Sequence, residues 1–193
     1  RTDEGPPRSL PWEDIRRILR AVSRDRPVGL RDYAMLLVMA TYGLGSGEVV
    51  RLELGDVDWQ AGILRARRGK TGVLLELPLL PAVAQALAAY LRRGRPSQTL
   101  AHTIFVSLAL PHRPLTTAAI RHRIRKYARR AGISAAKLGA HIFRHSHATR
   151  QIDAGAPFKI VGDVLGHIRP ASTSVYVRVA LRRLRVVALP VPR

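Results

Sequence analysis

The sequence predicts a mainly helical α+β domain carrying one small antiparallel β-hairpin. Three observations lead there. Apolar residues recur every three or four positions along most of the chain, the spacing that gathers them on one helix face. The spacing falls to two on both sides of "RGKTG", residues 68–72, as a half-buried hairpin requires. Hydrophobic residues make up 47% of the 193 positions, enough for a substantial core, and no internal repeat divides it.

The elements follow in order. Residues 1–10 read as a polar, proline-containing linker, 11–179 as the folded domain and 180–193 as a C-terminal tail. In "SLPWEDIRRILRAV", Ser9 is an expected N-cap, and Trp12, Ile15, Ile18, Leu19 and Val22 form one stripe. "GLRDYAMLLVMATYGL" is apolar nearly all round and predicts a central buried helix ending near Gly43. "EVVRLELGDVDW" reads as a short helix and a turn. "GILRARRGKTGVLLELPL" is the hairpin, turning around Gly69–Gly72. "PAVAQALAAYLRRG" is a helix closed by Gly94, and "QTLAHTIFVS" has the apolar run of a short strand. "TTAAIRHRIRKYARRAG" is a basic helix turning Ile120, Ile124 and Tyr127 or Ala128 inward. "AHIFRHSHATRQIDAG" is a helix stopped near Gly155, and Pro157 suits the start of the next.

The charge narrows the partner. Lys and Arg number 33 against 13 Asp and Glu, a net of +20, and only four of the 33 are lysine: Lys70, Lys126, Lys137 and Lys159. Arginine's planar fork suits bidentate contact with phosphate, so the balance points to nucleic acid. The basic helix offers Arg121, Arg123, Arg125, Lys126, Arg129 and Arg130 to a DNA backbone. No run of 18 apolar residues is present, nor a signal-peptide core in "RTDEGPPRSL". The absence of cysteine excludes disulfides and thiolate zinc sites and fits a cytoplasmic protein. A first residue of arginine suggests a piece of a longer chain.

"HIFRHSHATR", residues 141–150, concentrates three histidines and two arginines. As a metal site it fares badly. It lacks a metalloprotease glutamate, Arg144 would repel a divalent ion, and His147 points about 200° from His145 at ~100° per residue. Alternatively, His141 and Arg144, three apart, could converge on one oxyanion. Taken alone, that spacing suits a phosphate contact and an ordinary polar helix face equally. Downstream, "LGH" places His167 nine residues before Tyr176. A tyrosine ionises near pH 10 and needs cationic neighbours to act as a nucleophile at neutral pH.

Taken together these residues resemble the catalytic domain of the tyrosine recombinases, the phage-integrase family, from about Leu10 to Val179. "GKTGVLLELPL" resembles the family's hairpin lysine motif, with Lys70 in the catalytic place. "HIFRHSHAT" resembles its H-x-x-R box, "LGH" its third box, and Tyr176 stands at its nucleophile position. "TYGLGSGEVVRL" resembles its first box with one departure: Gly45 occupies the place of the first catalytic arginine, while Glu48, a supporting residue, is retained.

The resemblance implies the tyrosine-recombinase fold and DNA strand cleavage without metal or cofactor. Tyr176 would attack the scissile phosphate and form a 3′-phosphotyrosine, releasing a 5′-hydroxyl. Arg144 would stabilise charge on the nonbridging oxygens. His141 and His167 would contact the same oxygens or help Tyr176 lose its proton, and Lys70 would protonate the leaving oxygen. It also implies double-stranded DNA as partner, assembly as a dimer or tetramer, and an N-terminal DNA-clamping domain missing from this chain. Gly45 predicts impaired cleavage, unless Arg51, Arg67 or Arg68 reaches inward. The alternatives are an inactive DNA-binding module of the same fold and a type IB topoisomerase-like enzyme.

Overall fold

The computed structural model describes residues 9–69, 72–134, 138–139, 141–157 and 161. Within them lie six helices and one three-stranded antiparallel sheet around one main core. No described helix is long and apolar enough to cross a membrane.

Helix α1 (Trp12–Arg20) buries Ile15 and Ile18, and Val22 follows them inward. Its acidic first turn and basic last turn complement the helix dipole. Ser9 does not cap it. Pro11 holds the N-cap position, and its carbonyl accepts the Asp14 and Ile15 N–H groups, so the helix begins three residues after the serine. Upstream, the Leu10 N–H donates to the Ser146 hydroxyl, which donates back to the Leu10 carbonyl, both at 2.9 Å.

Helix α2 (Pro27–Tyr42) is the central helix predicted from its apolar run. Proline opens it and Gly43, at φ 62°, ends it in the left-handed conformation that glycine adopts without cost. Its buried residues lie on every side because α1, α4 and α6 all pack on it. After it come the short α3 (Ser46–Val49), a 3-10 turn (Leu54–Asp56) and β1 (Val57–Asp58). The strand β1 is an addition to the helix and turn expected here. It pairs only two residues, Val57 with Leu64 and Asp58 with Ile63, too few to leave a period.

The hairpin is present as β2 (Ile63–Arg67) and β3 (Leu74–Pro78), in register from Ile63 with Pro78 to Arg67 with Leu74. Along β2 and just past it, Leu64, Ala66 and Arg68 are buried, while Arg65 and Arg67 alternate outward. The Tyr42 hydroxyl donates to the Pro78 carbonyl (2.7 Å) and ties the hairpin to α2. Helix α4 (Pro81–Arg93) ends at Gly94 as expected. The stretch after it is no strand. It makes isolated bridges at Thr103 and Val106, because its amides go to scattered partners: Ile104 to the Leu52 carbonyl and Val106 to the Tyr90 hydroxyl.

Helix α5 (Thr117–Arg130) is capped by the Thr116 hydroxyl, which accepts the Ala119 N–H. It buries Ile120, Ile124, Tyr127 and Ala128. Helix α6 (Ile142–Asp153) brings Ile142 and Phe143 into the core.

Candidate active site

The site is assembled where the end of α2, the start of α3, the end of β2 and the first turn of α6 meet. Gly43 turns the chain out of α2, and its carbonyl accepts the Arg144 Nε–H at 2.8 Å. Two residues on, the Gly45 N–H donates to Glu48 Oε2 at 2.7 Å. That bond is half of a capping box; glycine has no side chain to supply the other half. It turns the Glu48 carboxylate back over the start of its own short helix.

Two arginines converge on that carboxylate. Arg144 pairs with Oε2 through one terminal nitrogen. Arg68 Nη1 lies 3.1 Å from both oxygens. Glu48 and Arg68 are buried, and the Arg144 side chain is only 16% exposed. Burial alone would raise the Glu48 carboxyl, but Arg144, the Gly45 N–H and Arg68 outweigh it and hold it below the usual carboxylate range. Burial pulls the Arg68 guanidinium down from its ordinary value, Glu48 opposes this, and the nearby Arg144 adds to it. With both guanidiniums charged, the group carries one net positive charge. Two Arg68 donors, Nε and the second terminal nitrogen, are buried without a hydrogen-bond partner among the described residues.

Helix α6 is tied to the rest of the fold by several hydrogen bonds. His147 Nδ1 lies 3.1 Å from the Ala40 carbonyl, an acceptor only, so the ring nitrogen carries the proton and donates. Burial first, then Arg150, Arg68 and Arg144, push the His147 pKa down against that bond. Thr149 donates to the His145 carbonyl and Ser146 bonds Leu10. His147 is thus the structural histidine of the cluster. His141 is exposed at the N-cap of α6, with its ring centroid 6.2 Å from that of His145. No group of three or more His, Cys, Asp or Glu able to hold a metal occurs among the described residues.

Of the residues singled out from sequence, Gly45, Glu48 and Arg144 meet here, and His141 opens the same helix as Arg144. Lys70, His167 and Tyr176 lie outside the described residues. On α5, Arg121, Arg125, Arg129 and Arg130 are exposed. Arg123 is partly used inside the fold. Its Nε lies 3.6 Å from Asp32 Oδ2, and that carboxylate also accepts the Tyr127 hydroxyl (2.8 Å) and the Arg31 guanidinium. Among the three arginines able to stand in at Gly45, only Arg68 turns inward. Arg67 is exposed and donates to the Gly72 carbonyl, and Arg51 is exposed beside Gly69. Alternation along β2 was the signal: 64, 66 and 68 share one face.

Comparison with known proteins agrees with this architecture. Residues 8–183 match the model of the phage integrase family. A Sinorhizobium fredii protein named as an integrase/recombinase, y4gC, is 42% identical over 188 residues, covering 96% of each chain. The tyrosine recombinase XerD of Proteus mirabilis is 36% identical over 183 residues, 93% of this chain but 58% of that protein. Among solved structures, the XerA recombinase superposes with a TM-score of 0.79 at 28% identity, covering 100% of this chain and 67% of XerA. XerH recombinase, in a post-cleavage complex with its palindromic difH substrate, shares the fold with a TM-score of 0.80 at 21% identity, over 95% of this chain and 53% of XerH. The chain belongs to the phage integrase family and is the catalytic domain of a tyrosine recombinase.

Proposed function

We propose that this chain cuts and rejoins double-stranded DNA at a specific site through a 3′-phosphotyrosine on Tyr176, without metal or cofactor. The observation that carries the reading is the largely buried Arg68–Glu48–Arg144 group at the start of α6, which holds net positive charge and donors unpaired among the described residues. Fixed cations of this kind stabilise the charge that builds on a phosphate's nonbridging oxygens during displacement, and they need no reorganisation when it develops. Arg144 takes those oxygens, with His141 and His167 hydrogen-bonding beside it. Lys70 protonates the leaving 5′-oxygen.

The other tyrosines support Tyr176 as nucleophile. Tyr42, Tyr90 and Tyr127 have hydroxyls engaged in the core, and burial raises all three above the ordinary value, Tyr127 to about 12. Tyr33 is half-buried under the Arg24 guanidinium, 4.8 Å from its ring. The exposed arginines of α5 grip the DNA backbone. Residues 11–179 form the catalytic unit, which works as a dimer or tetramer on DNA in the cytoplasm.

Gly45 favours a second reading, a DNA-binding module without cleavage. Losing one positioned donor typically costs ~10²–10³ in rate. Covalent trapping on a pool of nicked duplexes of randomised sequence separates the two. An adduct that survives denaturation and is lost in Tyr176→Phe is expected. An adduct that persists in Tyr176→Phe would remove the nucleophile assignment, and DNA binding without any adduct would favour the module.

A further inference from the structure

We propose that Arg68 is the second phosphate-binding guanidinium of this site, standing in from the hairpin for the side chain absent at Gly45. The inference rests on reading the site as a DNA phosphate clamp and adds a ligand to it.

Three features carry it. First, Arg68 is 4% exposed, yet its Nε and one terminal nitrogen have no hydrogen-bond partner among the described residues. A buried charged donor without a partner is costly, and an arginine held only for structure is normally saturated by acceptors. Second, the carboxylate it pairs with is already heavily used. The Glu48 carboxylate already accepts the Gly45 N–H, Arg144 and Arg68 Nη1. Two guanidiniums on one carboxylate leave a positive charge that an oxyanion would neutralise. Third, Gly45 faces the pair that Arg68 joins, Glu48 and Arg144. A Cβ there would lie 3.3 Å from Arg144 Nη2 and 3.6 Å from Glu48 Oε2. Gly45 sits at φ −78° and ψ 160°, extended backbone that any residue adopts, so nothing in the main chain demands glycine. A side chain at 45 would enter beside Glu48 and Arg144, and Arg68 already reaches the same carboxylate from the end of β2.

The ligand class is a phosphodiester oxygen, for which inorganic phosphate is the probe. The chain labelled with 15N-arginine is titrated with phosphate at constant ionic strength, following the Nε–Hε resonances of Arg68 and Arg144. Both resonances are expected to move with one dissociation constant. Arg68→Lys should weaken that constant about 10- to 100-fold, the range for one hydrogen bond to a charged group. Movement of Arg144 without Arg68, or an unchanged constant in Arg68→Lys, overturns the proposal and leaves the clamp with Arg144 alone. Movement of neither overturns the clamp itself. Should Arg68→Lys fail to fold, the wild-type titration still decides, with Arg68 assigned through its own side-chain carbons.

Discussion

Glu48 holds the buried Arg68 and the partly buried Arg144 with one carboxylate, so it is the residue on which the site's geometry depends. Glu48→Gln would leave Arg68 and Arg144 adjacent and uncompensated. Breaking a buried ion pair from one side costs about 3–5 kcal/mol, and urea unfolding at pH 7 should show a loss of that order. The folded pKa of Glu48 lies below its unfolded value of about 4.3, because Arg144 and its fellow partners overcome burial. Its stabilisation is therefore complete above about pH 4.3 and fades as pH falls through the folded value. The glutamine variant should lack that part of the acid transition. His147 works at higher pH. Its folded pKa is lowered by burial, so below about pH 6.5 the unfolded chain takes up a proton that the folded ring refuses. Stability should drop as pH falls from about 6.5 toward the folded value, and His147→Gln should flatten that slope in urea midpoints taken from pH 8 to 5. An unaltered slope would mean that His147 is not the group responsible.

At the scale of elements, α5, the helix proposed to face DNA, is anchored from behind. Its outer face carries Arg121, Arg125, Arg129 and Arg130, and its inner face ends in Tyr127, whose hydroxyl donates to the fully buried Asp32 of α2. Asp32 in turn holds Arg31, whose Nη1 donates to the Val106 carbonyl. Tyr127→Phe leaves one buried carboxylate oxygen short of a donor, and a loss of about 1–3 kcal/mol is expected in chemical denaturation. The same change should raise amide exchange along α5 more than along α4; equal exchange would argue against a local anchor. The amphipathic pattern of α5 was readable from sequence, but the inward lean of Arg123 was not, since it depends on an aspartate some 90 positions away.

For the whole molecule, the net charge of +20 and the arginine-lined α5 predict DNA affinity governed by counterion release. On a duplex of arbitrary sequence, the logarithm of affinity should fall linearly with the logarithm of salt. Each of Arg121→Ala, Arg125→Ala and Arg129→Ala should reduce that slope by about 1. Fluorescence anisotropy between about 50 and 200 mM salt measures it. An unchanged slope in all three would place the DNA on another face.

Local spacing and apolar runs were enough to read the helices and the hairpin, while the order of the site's motifs came from the family resemblance. Helical and strand periods are properties of neighbouring residues, so α2, α4, α5, α6 and the β2–β3 hairpin were all legible. Only the tertiary structure could decide which polar groups share a carboxylate. Arg68 and Arg144 reach Glu48 across 20 and 96 positions, and no local period encodes such a meeting. The same reason hid β1, whose two residues are a strand only because β2 lies beside them, and left "QTLAHTIFVS" without the partner strand its composition suits. By resemblance to the family, the sequence led to the expectation of an arginine where Gly45 stands; the packing of the end of β2 against α3 brought the Arg68 guanidinium onto the Glu48 carboxylate.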